Sequence, residues 1–208
     1  MNDVQVWHLV IFLIIMVFAI PLHEFGHAFA ADRCGDDVPA LQGRVTVEPW
    51  KHWDPLGSAL IGLGIFSGMP VIGWGKPVMT DPMNYRHMRK GSLIVASAGI
   101  FVNLILAALG GLAFRLGHLG DMGADPFFSF VVSAFVAINI SLAVFNLLPI
   151  PPLDGSKLLM CLLPSDKAYR YERAFHGTGM LVIYAVVIVG SSLLAGPIQY
   201  LTGAFLGN

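Results

Sequence analysis

Charge is what this chain has least of. Asp, Glu, Lys and Arg make up 12% of its 208 residues, about half the share found in an average soluble domain. The formal net charge is −1 and no basic tract is present, so the electrostatic footprint of a nucleic-acid partner is missing. Cysteine is scarce as well. Cys34 and Cys161 lack C-x-x-C spacing, which argues against a disulfide framework or a cysteine zinc site and for two free thiols. Internal repeats and low-complexity tracts are absent too.

What remains is apolar. Hydrophobic residues form 56% of the chain and mean hydropathy is +0.72, values of a multi-pass membrane protein whose first partner is the lipid bilayer. At this length one compact bundle is expected, residues 1–208 forming a single membrane-embedded domain. Ala28-Phe29-Ala30 imitates a signal-peptide cleavage site, but the segment ahead of it holds Asp3 and no Lys or Arg. It is therefore expected to be a retained helix.

Residues 6–31 read as the first span, about 39 Å long if wholly helical, with a kink expected at Pro21. Residues 32–55 form a polar connection in which Gly43-Arg44-Val45-Thr46-Val47-Glu48-Pro49 looks like a short strand ended by proline. The apolar stretch 56–73 carries Gly57, Gly62, Gly64, Gly68, Pro70 and Gly73, which suits a broken or re-entrant segment more than a plain helix. Further spans are expected at 91–114, 126–148 and 179–198. Trp7, Trp50, Trp53 and Trp74 suit interfacial anchoring.

Within the first span lies His23-Glu24-Phe25-Gly26-His27. Positions i and i+4 share a helix face, so both imidazoles can reach one metal ion. Glu24 then lies close enough to take a proton from a metal-bound water. With 7 His and 3 Glu available, chance would produce this H-E-x-x-H pentapeptide in about three such chains per thousand. An acid in the hydrocarbon core also costs roughly 2.5–3.5 kcal/mol on insertion scales, so it needs a function.

The basic residues speak to topology. If 56–73 dips and returns, 11 of the 12 Lys and Arg face one compartment, and only Arg115 lies elsewhere. The positive-inside tendency then puts the rich loops in the cytoplasm, the N-terminus outside, and His27 level with the chain just after residue 148. The membrane expected is the plasma (inner) membrane, with the site toward its cytoplasmic side.

A catalytic zinc site usually has three protein ligands. A histidine six residues beyond His27 would fall at Arg33, so that pattern fails. Two carboxylates remain as candidates. Glu48 lies in the strand-like stretch, and Asp154 lies in Asn146-Leu147-Leu148-Pro149-Ile150-Pro151-Pro152-Leu153-Asp154-Gly155, where prolines stop the helix and free the backbone.

H-E-F-G-H followed by N-x-x-P-x-x-x-x-D-G resembles the site-2 proteases, zinc-dependent intramembrane metalloproteases. Gly73-Trp74-Gly75-Lys76-Pro77-Val78 resembles the family's loop before its next core helix, and Ala98-Gly99 with Asn103 its small-residue motif in that helix. The stretch Gly43–Gly57, with Pro49, His52, Asp54 and Pro55, resembles its membrane-associated β segment. Glu48 departs from the asparagine often found before that proline, which bears on substrate contacts and not on the metal. The resemblance implies one zinc ion held by His23, His27 and Asp154, Glu24 as general base, and Asn146 in a supporting polar role. It also implies a short form without a PDZ domain, acting on a single-span membrane protein by regulated intramembrane proteolysis. The alternative from another class is a metal-binding membrane transporter or sensor.

The fold expected is thus an all-α multi-pass membrane bundle. It has about four full spans, a broken or re-entrant segment at 56–73, and a small membrane-associated β segment near 41–50. Other polar residues in the spans read more plainly. Asn139 and Asn146, seven apart, face the bundle interior; Asn139 is expected to hydrogen-bond between helices. Gly99, Asn103, Ala107 and Gly110 make a stripe mainly for close packing, with contact to the active site as the alternative role for Asn103. His52 reads as a solvated loop residue or a contact to substrate or metal-bound water, while His8, His87, His118 and His176 have no notable spacing.

Overall fold

The computed structural model describes residues 3–69, 73–120, 122, 125–189 and 191–207. Among them α1 (Asp3–Leu13), a π-helical segment (Ile14–Ala19) and α2 (Ile20–Cys34) follow one another without a break. Then come α3 (Val38–Leu41), α4 (Pro55–Ser67), α5 (Met88–Leu119), α6 (Pro126–Asn146), α7 (Asp154–Leu162), α8 (Ser165–Phe175), α9 (Gly179–Val189) and α10 (Ser191–Leu206). Short 3-10 turns lie at Pro49–His52 and Pro82–Asn84.

Among the described residues three helices are long and apolar enough to cross a bilayer: Val4–Cys34, Met88–Leu119 and Pro126–Asn146. The chain is an integral membrane protein. The fourth expected span is a bent pair, Gly179–Ile188 and Ser192–Leu206, turned by 72°. Hydropathy measures how apolar a run is, not its direction, so this bend was invisible in the sequence. Pro21 is accommodated by the π segment ahead of it. Proline has no amide for the preceding turn, and the turn there is already widened, with the Ile20 N–H bonded to the Ile15 carbonyl.

Helix α5 packs against α2, α6, α7 and α10. Ala107, Val136 and Ile140 are fully buried where α5 meets α6, with Leu104, Val144 and Phe205 against them. Lipid is as apolar as a leucine side chain, so such helices associate through close packing. The α2–α5 crossing shows how close: a Cβ at Gly26 would lie 2.8 Å from Val102 Cγ2 and 3.2 Å from the Ala98 carbonyl. At its end α2 stops at Gly35, whose φ of +112° is open to glycine. The next residue, Asp36, is fully buried and accepts hydrogen bonds from the Asp81 amide (2.7 Å) and Asn84 Nδ2 (2.9 Å). This ties the loop before α5 to the end of α2.

The stretch 56–73 enters as α4, of 13 residues. At 1.5 Å per residue it spans about 20 Å, too little for a hydrocarbon core of about 30 Å. It runs along α1, with Phe66 against His8 and Phe12. The chain beyond it comes back to where it started: the Lys76 amide bonds the His52 carbonyl at 2.8 Å, Gly75 bridges Trp53, and Gly57 abuts the Trp74 carbonyl. Both ends therefore lie at one level. Residues 70–72, including Pro70, lie outside the described residues.

The β segment near 41–50 is not there. Among the described residues the Trp53–Gly75 contact is an isolated bridge and no strand forms. A strand needs a partner for its amides and carbonyls, and this stretch satisfies them locally. The Arg44 amide bonds the Pro39 carbonyl, Glu48 N bonds Thr46 Oγ1, and His52 Nε2 bonds the Thr46 carbonyl.

Substituting Gly26→Leu should overpack the α2–α5 crossing at a cost of about 1–3 kcal/mol. Thermal unfolding in detergent should show a lower Tm; an unchanged Tm would contradict so tight a crossing.

Candidate metal centre

His23 and His27 stand one turn apart on α2, their rings nearly perpendicular (83°) with centroids 4.8 Å apart. Asp154 reaches them from the start of α7. After α6 the chain turns through Leu147–Leu153, closed by bonds such as Ile150 N to Leu148 O and Leu153 N to Ile150 O. Gly155 allows that turn to fold back, since a Cβ there would overlap the Leu147 carbonyl. Leu153, not Asp154, is the N-cap of α7, so the carboxylate is free to face the histidines. Its Oδ2 lies 3.2 Å from His23 Nε2 and 2.9 Å from His27 Nε2, and the two nitrogens are 3.1 Å apart. All three residues are buried.

The protons matter here. His27 Nδ1 lies 2.7 Å from the Val95 carbonyl, which can only accept, so Nδ1 carries the hydrogen and Nε2 carries a lone pair. His23 Nδ1 likewise lies 2.7 Å from Asn103 Oδ1, also an acceptor. Asp154 Oδ2 is buried and receives no hydrogen bond; Lys157 Nζ occupies the other oxygen, Oδ1, at 3.0 Å. With both rings neutral, three electron pairs face one another across separations of 2.9–3.2 Å. A divalent cation resolves this.

The dimensions agree. Nitrogen and oxygen ligands at about 2.0–2.1 Å in tetrahedral geometry stand about 3.3–3.4 Å apart, close to the separations here. Two imidazoles and one carboxylate are a donor set suited to zinc. The space beside the rings exists because residue 99 is glycine: a Cβ there would come within 2.5 Å of His23 Cε1 and of His27 Nε2. Among the described residues His23, His27 and Asp154 are the one such His/Cys/Asp/Glu group. Glu48, the competing carboxylate, is exposed and belongs to none.

Glu24 lines the same cavity, of about 1170 Å³, as do Asn146 and Lys157. Its Oε2 accepts a hydrogen bond from the Val78 amide at 3.1 Å. The loop carrying Val78 is anchored by a residue that the sequence offered only as a positive charge. Arg44, 2% exposed, donates to the carbonyls of Lys76 and Pro77 and to His52 Nδ1 (3.3 Å). His52 Nε2 bonds the Thr46 carbonyl at 2.8 Å. His52 is therefore neither solvated nor available to substrate or water: it is fully buried and both ring nitrogens are engaged. Burial, with Arg44 adjacent, pushes its pKa down, which suits a neutral ring accepting from a guanidinium.

Asn146 lies on the cavity wall, where its Nδ2 bonds the Leu142 carbonyl one turn back (3.0 Å). Asn103 and Asn139 are fully buried and bonded to each other. Asn103 reads in the sequence mainly as packing, with contact to the active site as its second role; the bond to His23 gives it that second role, across a spacing of 80 residues that carries no periodic signal.

Residues 117–190, which include Asp154, match the profile of "Peptidase family M50". The chain is 34% identical over 191 residues to the "Putative zinc metalloprotease YwhC" of Bacillus subtilis (strain 168), covering 88% of this chain and 83% of that protein. It is also similar to two Rip2 proteins that carry the same designation. For that of Mycolicibacterium smegmatis the identity is 35%, over 67% of this chain and 52% of the relative. For that of Mycobacterium tuberculosis (strain Erdman) it is 37%, over 64% and 50%. No solved structure matches the chain.

Gly99→Ala should place a methyl group against both imidazoles. Elemental analysis of the purified protein should find bound metal well below the parent's, and a parent-like content would show that the space beside the rings is not needed.

Proposed function

Since this chain belongs to peptidase family M50, the zinc-dependent site-2 proteases, we propose that it is an intramembrane endopeptidase. It cleaves a peptide bond within or next to the spanning segment of a single-span membrane protein, as a step of regulated intramembrane proteolysis. Residues 1–208 act as one membrane-embedded catalytic domain. The observation that carries this reading is the His23–His27–Asp154 triangle, its two Nε2 atoms and Asp154 Oδ2 converging within 3.2 Å, buried, with two of its corners on the span Val4–Cys34.

In this reading His23, His27 and Asp154 hold one zinc ion. A zinc ion there supplies Lewis acidity, for polarising a carbonyl and acidifying water at neutral pH. Glu24 is the general base. Val78 holds its Oε2, so Oε1 is the oxygen that receives the proton from the attacking water and returns it to the leaving amine. Lys157 neutralises the outer oxygen of Asp154 and keeps that carboxylate turned toward the histidines. Asn146, on the cavity wall, offers its side-chain amide to the developing oxyanion. A helical substrate must unwind before its carbonyl can be attacked, and the cavity of about 1170 Å³ has room for an extended stretch. The return of the chain after α4 to the level of His52 supports a dip, and with it a cytoplasmic site in the plasma membrane.

Glu24→Gln should keep zinc yet lose about 10²–10⁴-fold in cleavage of a co-expressed single-span substrate, read by immunoblot. Normal turnover by that variant would refute the base assignment. Asp154→Ala should lose both zinc and cleavage. Zinc flux in liposomes without hydrolysis by the parent would point instead to a transporter.

A further inference from the structure

We infer that Asn103, itself oriented by Asn139, is a positioning residue that locks His23 in the one tautomer able to bind metal. The inference rests on the zinc reading above and extends it to residues on two other helices.

A hydrogen-bond chain of fixed polarity leads to His23. It begins at the Phe135 carbonyl, which can only accept. Asn139 Nδ2 donates to that carbonyl at 2.9 Å, so Asn139 Oδ1 faces the other way, as an acceptor. Asn103 Nδ2 donates to this oxygen at 2.9 Å and to the Ala19 carbonyl at 3.3 Å. Asn103 Oδ1 is then the atom left for His23 Nδ1, at 2.7 Å. Each link has a fixed direction because the Phe135 and Ala19 carbonyls can only accept, which turns both amide N–H groups toward them and leaves Asn103 Oδ1 for His23. A turned-over Asn103 amide would present an N–H to His23 Nδ1, force that nitrogen to accept, and move the ring proton to Nε2. His23 could then no longer ligate.

Both asparagines are fully buried. A bundle in lipid offers no water to replace a missing partner, so each broken link leaves an unsatisfied group. Simple interhelical adhesion would not require this order of donors and acceptors. The chain links α6 through α5 to α2, so the packing of two spans sets the protonation of a third.

The test is zinc affinity, measured in detergent by competition with a chromophoric chelator, with the visible spectrum of the cobalt-substituted protein as a second readout. Asn103→Leu keeps the volume and removes the acceptor; affinity should fall about 10–100-fold, the range for loss of an outer partner of a metal-bound histidine. Asn103→Asp keeps an acceptor toward Nδ1–H and should recover most of the loss, with a cobalt spectrum close to the parent's. Parent-like affinity in Asn103→Leu, or Asn103→Asp no better than Asn103→Leu, would overturn the inference. Should Asn103→Leu fail to fold, Asn139→Leu leaves Asn103 in place, held against turning over by the longer bond to the Ala19 carbonyl alone. A several-fold loss there supports the inference and parent-like affinity overturns it. A parent chain that binds no zinc in the same assay would bring down the zinc reading itself, a distinguishable failure.

Discussion

Two neutral imidazoles and a carboxylate that aim their lone pairs at one point repel one another unless a cation sits among them. The surrounding structure serves that arrangement. Val95 and Asn103 take the Nδ1 protons, Lys157 takes the outer carboxylate oxygen, and Gly99 leaves the rings room. None of this would hold in water, where each group could find another partner. Among buried side chains the alternatives are few, and the geometry is set by the partners at hand.

Two connected sets of polar groups lead to the site. One runs through α6, α5 and α2 to His23. The other lies at the edge of the bundle, where Arg44 and His52 secure the returning chain at Lys76–Val78 and the Val78 amide in turn holds Glu24. The first set governs the metal side and the second the base. They meet at adjacent residues of α2, His23 and Glu24, so the position of one helix coordinates both halves of the chemistry. The tight α2–α5 crossing at Gly26 is what allows that helix so close to Asn103 and Val95.

The β segment near 41–50 is an instructive difference. Alternating residues ended by proline satisfy the pattern of a strand, but the pattern cannot say whether a partner strand exists. Here the Arg44 amide goes to the Pro39 carbonyl, the Glu48 amide to Thr46 Oγ1 and the Thr46 carbonyl to the His52 ring, so backbone groups a ladder would need are already engaged. The bent α9–α10 pair and the buried role of His52 escaped the sequence for a similar reason: hydropathy and spacing report neither direction nor what folds back against a residue.

The sequence by itself determined the apolar lengths of three spans, the shared face of His23 and His27, and the two carboxylates eligible to join them. These follow from helical rise and the 3.6-residue period, which are local properties. The motif resemblance already favoured Asp154 over Glu48, and only the tertiary structure brings that carboxylate within 3.2 Å of both imidazoles. The tertiary structure also decided which ring nitrogens carry protons and that 56–73 returns to its own starting level. Each of those depends on contacts between residues tens to more than a hundred positions apart, and such contacts leave no periodic trace along the chain.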